Sequence, residues 1–146
     1  MIKTLIWFLF LMVLDQGSKL YIANNFLLGE SQPVIEGIFH LTYVRNTGVS
    51  FGLLADNLFL ILFLQLIIIF LLVYLKLKLL PDNLFINLCF VLIFAGAIGN
   101  IIDRLVYGYV IDFFDFQIWP VFNFADVFIV LGVFGLILFI FKADEL

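Results

Sequence analysis

Long apolar runs separated by short polar segments dominate this chain. Four of them, at about residues 4–22, 58–75, 84–102 and 121–141, are long enough to form helices that cross a membrane, since one crossing needs about 20 mostly apolar residues. Together they occupy just over half of the chain and leave no room for a second folded domain. The pattern predicts an all-α membrane protein with four transmembrane helices in a single integral membrane domain, residues 1–146.

The segment between the first two predicted spans, residues 23–57, has a different pattern. Residues 38–44 are rich in β-branched and aromatic side chains and partly alternate, which is typical of a strand. Residues 29–33 and 45–48 have the composition of turns. We expect a small extracytoplasmic β-rich segment between spans one and two, lying on the outer membrane surface.

The segment between the last two predicted spans, residues 107–120, consists mainly of Tyr, Phe, Ile and Trp, with Asp112 and Asp115 among them. Aromatic segments with a few polar groups are typical of the headgroup layer of a bilayer. We expect this segment to lie at the outer membrane surface as well.

Composition agrees with a membrane location. Hydrophobic residues make up 66% of the chain, charged residues only 12%, and the mean hydropathy is +1.27, so we expect neither a soluble domain nor a nucleic-acid partner. The first apolar run follows Lys3 and lacks a small-residue cleavage site after it. We therefore expect it to remain as a span and not to be removed as a signal peptide.

Basic residues near the span ends indicate the orientation of the chain. Those that fall on one side of a four-span chain are Lys3, Lys76, Lys78 and Lys142. The positive-inside rule assigns that side to the cytoplasm, so both termini should be cytoplasmic. Arg45 and Arg104 fall outside or at the opposite boundary and need a separate explanation.

Cysteine and histidine each occur once, as Cys89 and His40. A disulfide within the chain is impossible, and a zinc site of the usual kind is not expected, because such sites need three or four Cys, His or acidic ligands. We expect neither a metal ion nor an organic cofactor.

Asp112 and Asp126 are the most informative residues. Each lies where a predicted span meets the aromatic segment, and neither has a basic residue nearby in the sequence. Ionisable groups near hydrocarbon are costly and usually mark a functional site. Two acids that fold together can share one proton, so that one acts as a base and the other as an acid, as in aspartic proteases. Asn123 lies one helical turn before Asp126 on the same face.

Other polar residues lie inside the apolar runs. Asp15 and Lys19 are four residues apart in the first span, so they share a helix face and can form an ion pair. Asn100, Asp103 and Arg104 make a polar cap at the end of the third span, where we expect Asp103 and Arg104 to pair with each other. The Gly/Ala run just before them, residues 95–99, favours close packing of helices.

Three other classes of protein fit part of this pattern. A proton-linked carrier also has intramembrane acids, although here the acids cluster at one end of the spans. A Ser-Lys hydrolase would use Ser18 or Ser50 with Lys19, but the adjacent Ser18 and Lys19 point in different directions on a helix. A non-catalytic assembly protein would not need Asp112 and Asp126 to titrate.

Four motifs in order along the chain resemble those of the lipoprotein signal peptidases, also called signal peptidase II. The motifs are Asp15-Gln16-Gly17-Ser18-Lys19, Asn46-Thr47-Gly48-Val49-Ser50-Phe51-Gly52, Gly99-Asn100-Ile101-Ile102-Asp103-Arg104 with Val110-Ile111-Asp112-Phe113 downstream, and Phe122-Asn123-Phe124-Ala125-Asp126. The chain departs from the family pattern at Ala95, Val127 and the pair Val49-Ser50, and none of these changes affects the aspartates.

The resemblance implies that Asp112 and Asp126 are the catalytic pair of an aspartic endopeptidase. It also implies that a set of polar residues around this pair supports it or binds substrate: Asp15, Lys19, Asn46, Asn100, Asp103, Arg104 and Asn123. The implied substrate is a bacterial prolipoprotein whose cysteine already carries diacylglycerol, cleaved just before that cysteine at the outer face of the cytoplasmic membrane. The implied partners are this substrate and membrane lipids.

Overall fold

The computed structural model describes residues 2–48, 57–78 and 80–143. Within these ranges the chain forms four helices and three strands. In chain order they are α1 (Ile2–Asn25), β1 (Ser31–Ile35), β2 (Phe39–Asn46), α2 (Leu58–Lys78), α3 (Leu84–Tyr107), β3 (Val110–Asp115) and α4 (Phe124–Ala143).

All four helices are long and apolar enough to cross a membrane, because about 20 residues of α-helix span the ~30 Å of hydrocarbon in a bilayer. The four predicted spans are therefore confirmed. Helices α1 and α3 run past their predicted ends, to Asn25 and Tyr107. Polar residues near those ends, such as Lys19 and Asp103, are buried against other elements, so their polarity does not mark the end of a helix.

The ends of α3 are fixed by local hydrogen bonds. At the start, Asn83 Oδ1 accepts hydrogen bonds from the backbone N–H groups of Phe85 at 2.7 Å and Ile86 at 3.4 Å, as an N-cap asparagine does. At the end, Gly108 takes a left-handed conformation with φ 81° and donates its N–H to the Arg104 carbonyl oxygen at 3.0 Å. Glycine adopts this conformation without steric cost, and the chain turns at once into β3.

Helices α3 and α4 pack closely along small residues. A Cβ atom added at Gly96 would overlap the carbonyl oxygen of Ala125, and one added at Gly132 would lie 2.6 Å from the carbonyl oxygen of Cys89. The backbones can approach this closely only because the side chains are absent. The close packing predicted for residues 95–99 is thus confirmed.

The three strands form one antiparallel sheet with β2 in the centre. Val44 of β2 lies opposite Asp112 of β3, so the strand pairing fixes the position of Asp112. One face of the sheet packs on the end of α1 in a cluster of buried side chains: Ile22, Phe26, Tyr43, Ile111 and Phe113. The sheet is therefore anchored to the helical bundle.

The predicted β-rich segment between the first two spans is confirmed, but it is only part of the sheet. The third strand comes from residues 107–120, which we expected to lie at the membrane surface and for which we predicted no strand. Residues 110–113 are all buried, so they lack the alternation of apolar and polar positions that indicates a half-exposed strand.

The turn predicted at residues 45–48 begins too early. Arg45 and Asn46 belong to β2, and the turn follows them, with the Gly48 N–H donating to Asn46 Oδ1 at 3.0 Å. The turn predicted at residues 29–33 is right only at its start. Gly29 has a positive φ of 80°, whereas β1 begins at Ser31.

Candidate active site

Asp112 and Asp126 come from different elements and meet at one site. Asp112 is the third residue of β3, and Asp126 lies in the first turn of α4. Asn123 contacts both carboxyl groups: its Nδ2 donates to Asp112 Oδ1 at 2.6 Å, and its backbone N–H donates to Asp126 Oδ2 at 3.2 Å. The structure therefore brings together the two acids that the sequence singled out.

The carboxyl group of Asp112 is almost completely buried, with 2% of the residue exposed. This burial raises the pKa of Asp112 to about 7, and the negative charge of Asp126 adds to the rise. Hydrogen bonds from Asn123 and from Asn46, whose Nδ2 donates to Asp112 Oδ2 at 2.9 Å, oppose it. A carboxyl group with a pKa near 7 still holds a proton in about half of the molecules at neutral pH, as a general acid must.

Asp126 lies in the first turn of α4 and, like Asp112, has N–H donors at both carboxyl oxygens. Asn100 Nδ2 donates to Oδ1 at 2.9 Å, and the Asn123 N–H donates to Oδ2. In return, Asn123 Oδ1 accepts the Asp126 N–H at 3.0 Å. This reciprocal capping starts α4 at Phe124, a little later than the predicted residue 121.

A buried ion network lies beside this pair and is centred on Lys19. The Lys19 ammonium group lies 3.0 Å from Asp15 Oδ2 and 3.0 Å from Asp103 Oδ2, and it donates to Asn100 Oδ1 at 2.9 Å. All three charged residues are at most 1% exposed. The three N–H donors of the ammonium group are thus matched by three oxygens, and the predicted pairing of Asp15 with Lys19 is present.

The same network holds the two elements that carry the candidate acids. Asp15 Oδ1 accepts the backbone N–H of Ala125 at 3.0 Å, next to Asp126. Asp103 Oδ2 accepts the backbone N–H of Ile111 at 3.2 Å, next to Asp112. Helices α1 and α3 therefore position β3 and the start of α4 through buried carboxylates.

The expected pairing of Asp103 with Arg104 is wrong. Asp103 pairs with Lys19, whereas the Arg104 guanidinium group donates to the Gly48 carbonyl oxygen at 2.8 Å and to Gln65 Oε1 at 3.4 Å. Adjacent residues of a helix point in different directions, so their side chains do not face each other. Arg104 lies within electrostatic range of both candidate acids as well as of Asp103.

Gln16 is a site residue that the sequence analysis missed. Its Nε2 donates to Asp103 Oδ1 at 2.9 Å and to the Gly99 carbonyl oxygen at 3.3 Å, and it lies 3.1 Å from Asp15 Oδ2. A Cβ atom at Gly99 would overlap the Asp15 carboxylate. The signal was available, because an amide side chain inside an apolar run needs buried partners.

The alternative Ser-Lys pair finds no support in the described part of the chain. Ser18 Oγ donates to the Asp15 carbonyl oxygen of its own helix at 2.7 Å, and the Lys19 ammonium group is engaged by Asp15, Asp103 and Asn100. Ser50, with Val49, Phe51 and Gly52 of the same motif, lies outside the described residues. Among residues 2–48, 57–78 and 80–143, no group of three or more His, Cys, Asp or Glu side chains is arranged to hold a metal ion.

The fold is similar to two solved structures, each described as a bacterial membrane enzyme determined by the in meso method, at 2.3 Å and 1.9 Å resolution. The first has a TM-score of 0.90 and 34% identity, over 97% of this chain and 89% of that chain. The second has a TM-score of 0.86 and 35% identity, over 96% of this chain and 93% of that chain. The chain is therefore a multi-pass membrane protein with the fold of a membrane enzyme.

Sequence relatives define the family. The family model described as Signal peptidase (SPase) II matches residues 7–142. The lipoprotein signal peptidase of Moorella thermoacetica is 49% identical over 127 residues, 86% of this chain and 83% of that protein. That of Halothermothrix orenii is 41% identical over 138 residues, 94% of each chain. This chain belongs to the signal peptidase II family, and it is a protease. The predicted fold class and family are confirmed.

Proposed function

We propose that this chain removes the signal peptide from diacylglyceryl-modified bacterial prolipoproteins, with Asp112 and Asp126 as its catalytic acid–base pair. The supporting observation is the Asn123 side chain and backbone, which link the two carboxyl groups. One carboxyl group is buried in surroundings that favour its protonated form, and the other lies in the first turn of α4. Paired acids in two protonation states are what hydrolysis of a peptide bond by activated water requires.

The proposed reaction uses one water molecule and one shared proton. Ionised Asp126 takes a proton from the water as its oxygen attacks the scissile carbonyl carbon, and protonated Asp112 gives its proton to the carbonyl oxygen. When the tetrahedral intermediate collapses, Asp126 passes its proton to the departing amine nitrogen, and Asp112 recovers a proton from a hydroxyl of the intermediate. The products are the signal peptide with a new carboxyl group and the lipoprotein with a free amino group on its cysteine. Water is the only co-reactant.

The neighbouring polar residues act on the pair by orientation and charge. Asn46 and Asn123 hold the Asp112 carboxyl group from both sides. Lys19 fixes the amide of Asn100 by engaging its oxygen, which turns the nitrogen toward Asp126. Such positioning by rigid elements lowers the cost of reaching the reactive geometry.

The placement of the pair fits a substrate anchored by lipid. The scissile bond lies next to a residue that carries acyl chains, so the reacting groups must be at the membrane boundary. The proposed pair lies near the ends of α3 and α4, at the end of the bundle that carries the sheet. Lysines at the opposite end of the bundle assign that end to the cytoplasm. The proposed site then lies near the outer face of the bacterial cytoplasmic membrane, and both termini are cytoplasmic.

The test is cleavage by purified protein in detergent micelles, with the products measured by mass spectrometry. We expect a diacylglyceryl-modified prolipoprotein to be cut just before its cysteine and the same precursor without the lipid to remain intact. Asp112→Asn and Asp126→Asn should each abolish cleavage. Asp115→Asn is the matched control, because Asp115 lies on the same strand but accepts a hydrogen bond from Thr42 Oγ1 at 2.7 Å, so it should stay active.

Two results would contradict the proposal in different ways. Near-normal cleavage by either Asp112→Asn or Asp126→Asn would remove the assigned acid–base pair. Equal cleavage of the precursor with and without its diacylglyceryl group would leave the pair in place and remove the proposed substrate class.

A further inference from the structure

Arg45 is the positively charged residue that the proposed function does not use. It lies on β2, at the end of the bundle where the positive-inside rule does not expect a basic residue. Its neighbour Asn46 contacts Asp112. Because successive side chains of a strand point to opposite faces, Arg45 lies on the other face of the sheet, together with Tyr43. Its side chain is exposed.

The Arg45 guanidinium group is held in one orientation by two tyrosines. Its Nε donates to the Tyr43 hydroxyl oxygen at 3.1 Å. Its central carbon lies 4.8 Å from the centre of the Tyr109 ring and 5.6 Å from that of the Tyr43 ring. Tyr43 is itself 3% exposed and belongs to the buried cluster between the sheet and α1. A rigid part of the fold therefore positions this exposed cation.

The two terminal nitrogens of the Arg45 guanidinium group have no hydrogen-bond or ion-pair partner among residues 2–48, 57–78 and 80–143. Within these ranges, the side chain of Arg45 forms one hydrogen bond, from Nε to the Tyr43 hydroxyl oxygen. The ion pairs in the same ranges involve Lys19 and Lys76. The N–H groups of these two nitrogens are therefore available to bind a ligand. A planar fork of this kind matches two oxygens of a phosphate or carboxylate.

The surroundings of Arg45 indicate which of these anions its guanidinium group would meet. Tyr107 is the last residue of α3, and Tyr109 follows two residues later, with the two rings stacked at 5.9 Å. Tyrosines where spans leave the hydrocarbon lie at the level of the lipid headgroups. The anionic group found all around a protein at that depth is the phosphodiester of membrane lipids.

We propose that Arg45, held by Tyr43 and Tyr109, binds the phosphodiester of a membrane glycerophospholipid on the face of the sheet opposite Asp112. The diacylglyceryl group of the proposed substrate carries no phosphate, so this lipid is a separate ligand. The site would hold the sheet against the headgroup layer. The inference does not depend on the proposed catalytic pair.

The test is a lipid titration of the purified full chain in uncharged detergent, with the thermal unfolding temperature as the readout. Dioctanoyl phosphatidylglycerol should raise the unfolding temperature of the wild type in a saturable way. Arg45→Gln should weaken this binding about tenfold, as expected for loss of a hydrogen-bonded charge. Arg45→Lys keeps the positive charge but removes the planar guanidinium group, and it should weaken lipid binding several-fold. Lys78→Gln removes the same charge at the other end of the bundle and is the matched control, with affinity unchanged.

Separate titrations distinguish the sources of the effect. Dioctanoylglycerol, which lacks the phosphate, and inorganic phosphate, which lacks the acyl chains, should each fail to reproduce the saturable rise. Equal weakening by Arg45→Gln and Lys78→Gln would overturn the site in favour of general charge attraction. Saturation by inorganic phosphate at the same concentration would overturn the lipid as ligand. If Arg45→Gln does not fold, wild-type affinity in Arg45→Lys overturns the proposed recognition by the fork.

Discussion

Replacing Asp112 with asparagine is expected to stabilise the folded protein at alkaline pH although it removes a proposed catalytic group. Burial raises the pKa of Asp112 from 3.8 to about 7 in the folded state. The folded protein therefore holds this proton more tightly than the unfolded chain. The contribution of Asp112 to the stability of the wild type is therefore greatest below about pH 4 and is lost as the pH rises through 7.

The size of the effect follows from the same shift. A rise in pKa from 3.8 to about 7 corresponds to a loss of about 4 kcal/mol of stability between acid and alkaline pH. Asparagine carries no charge and avoids this loss. Asn46 and Asn123 both donate a hydrogen bond to Asp112. The new amide nitrogen is itself a donor and must face one of them, so one hydrogen bond is lost at a cost of about 1 kcal/mol. Asp112→Asn should therefore be about 3 kcal/mol more stable than wild type above pH 7 and about 1 kcal/mol less stable at about pH 3.

The assay is reversible unfolding in mixed detergent micelles, followed by circular dichroism, for wild type and variant from about pH 3 to about pH 8.5. The difference between the two proteins at each pH cancels the contributions of the ionisable groups that do not interact with Asp112. We expect the two stability curves to cross at about pH 4.5. A difference that stays constant across this range would refute the argument, because Asp112 would then have the same pKa in the folded and unfolded states.

Substitutions elsewhere give the other expected outcomes. Lys19→Met should destabilise by about 3–5 kcal/mol, because two buried carboxylates lose their cation, whereas Lys76→Met, at a partly exposed pair, should cost less than about 1 kcal/mol. Arg104→Gln should lower both the unfolding temperature and the cleavage rate; loss of activity alone would indicate direct substrate contact. Gly96→Ala should lower the unfolding temperature in detergent by overlap between helices, whereas Gly17→Ala, with nothing within 4 Å of the added atom, should not.

The four helices were predictable because a membrane span is set by one property summed over many residues. A run of about 20 apolar side chains has few other structures available to it. The ends were harder to place, since the end of α3 depends on long-range contacts. Asp103 is polar, yet it is buried against Lys19 from another helix, so the helix continues past it to Tyr107.

The third strand could not be found from its own sequence. Residues 110–113 are buried on both faces, and a short apolar run of this kind fits a strand, a helix end or a surface loop equally well. Its pairing with β2 depends on residues about 66 positions earlier, as in the bond from Asn46 to Asp112. Such pairing is specified by the folded protein as a whole.

The candidate acids were predictable as residues but their partners were not. An acid at the edge of an apolar run is unusual enough to single out Asp112 and Asp126. Sequence spacing suggested that Asp103 would pair with its neighbour Arg104, but the direction of side chains on a helix and the position of α1 pair it with Lys19. Gln16 was missed for the same reason, because its partners lie 83 and 87 positions away.

The most direct test of the proposed acid–base pair is the pH dependence of kcat/KM for cleavage of a diacylglyceryl-modified prolipoprotein. The rate should fall as the pH rises above about 7, because Asp112, whose pKa is raised to about 7, then loses the proton that it must donate. The base of the proposed pair must be ionised, so the rate should also fall at low pH, which gives a bell-shaped profile. Asp112→Asn should have no measurable rate at any pH. A wild-type rate that stays level up to about pH 9, with the protein intact, would contradict the account.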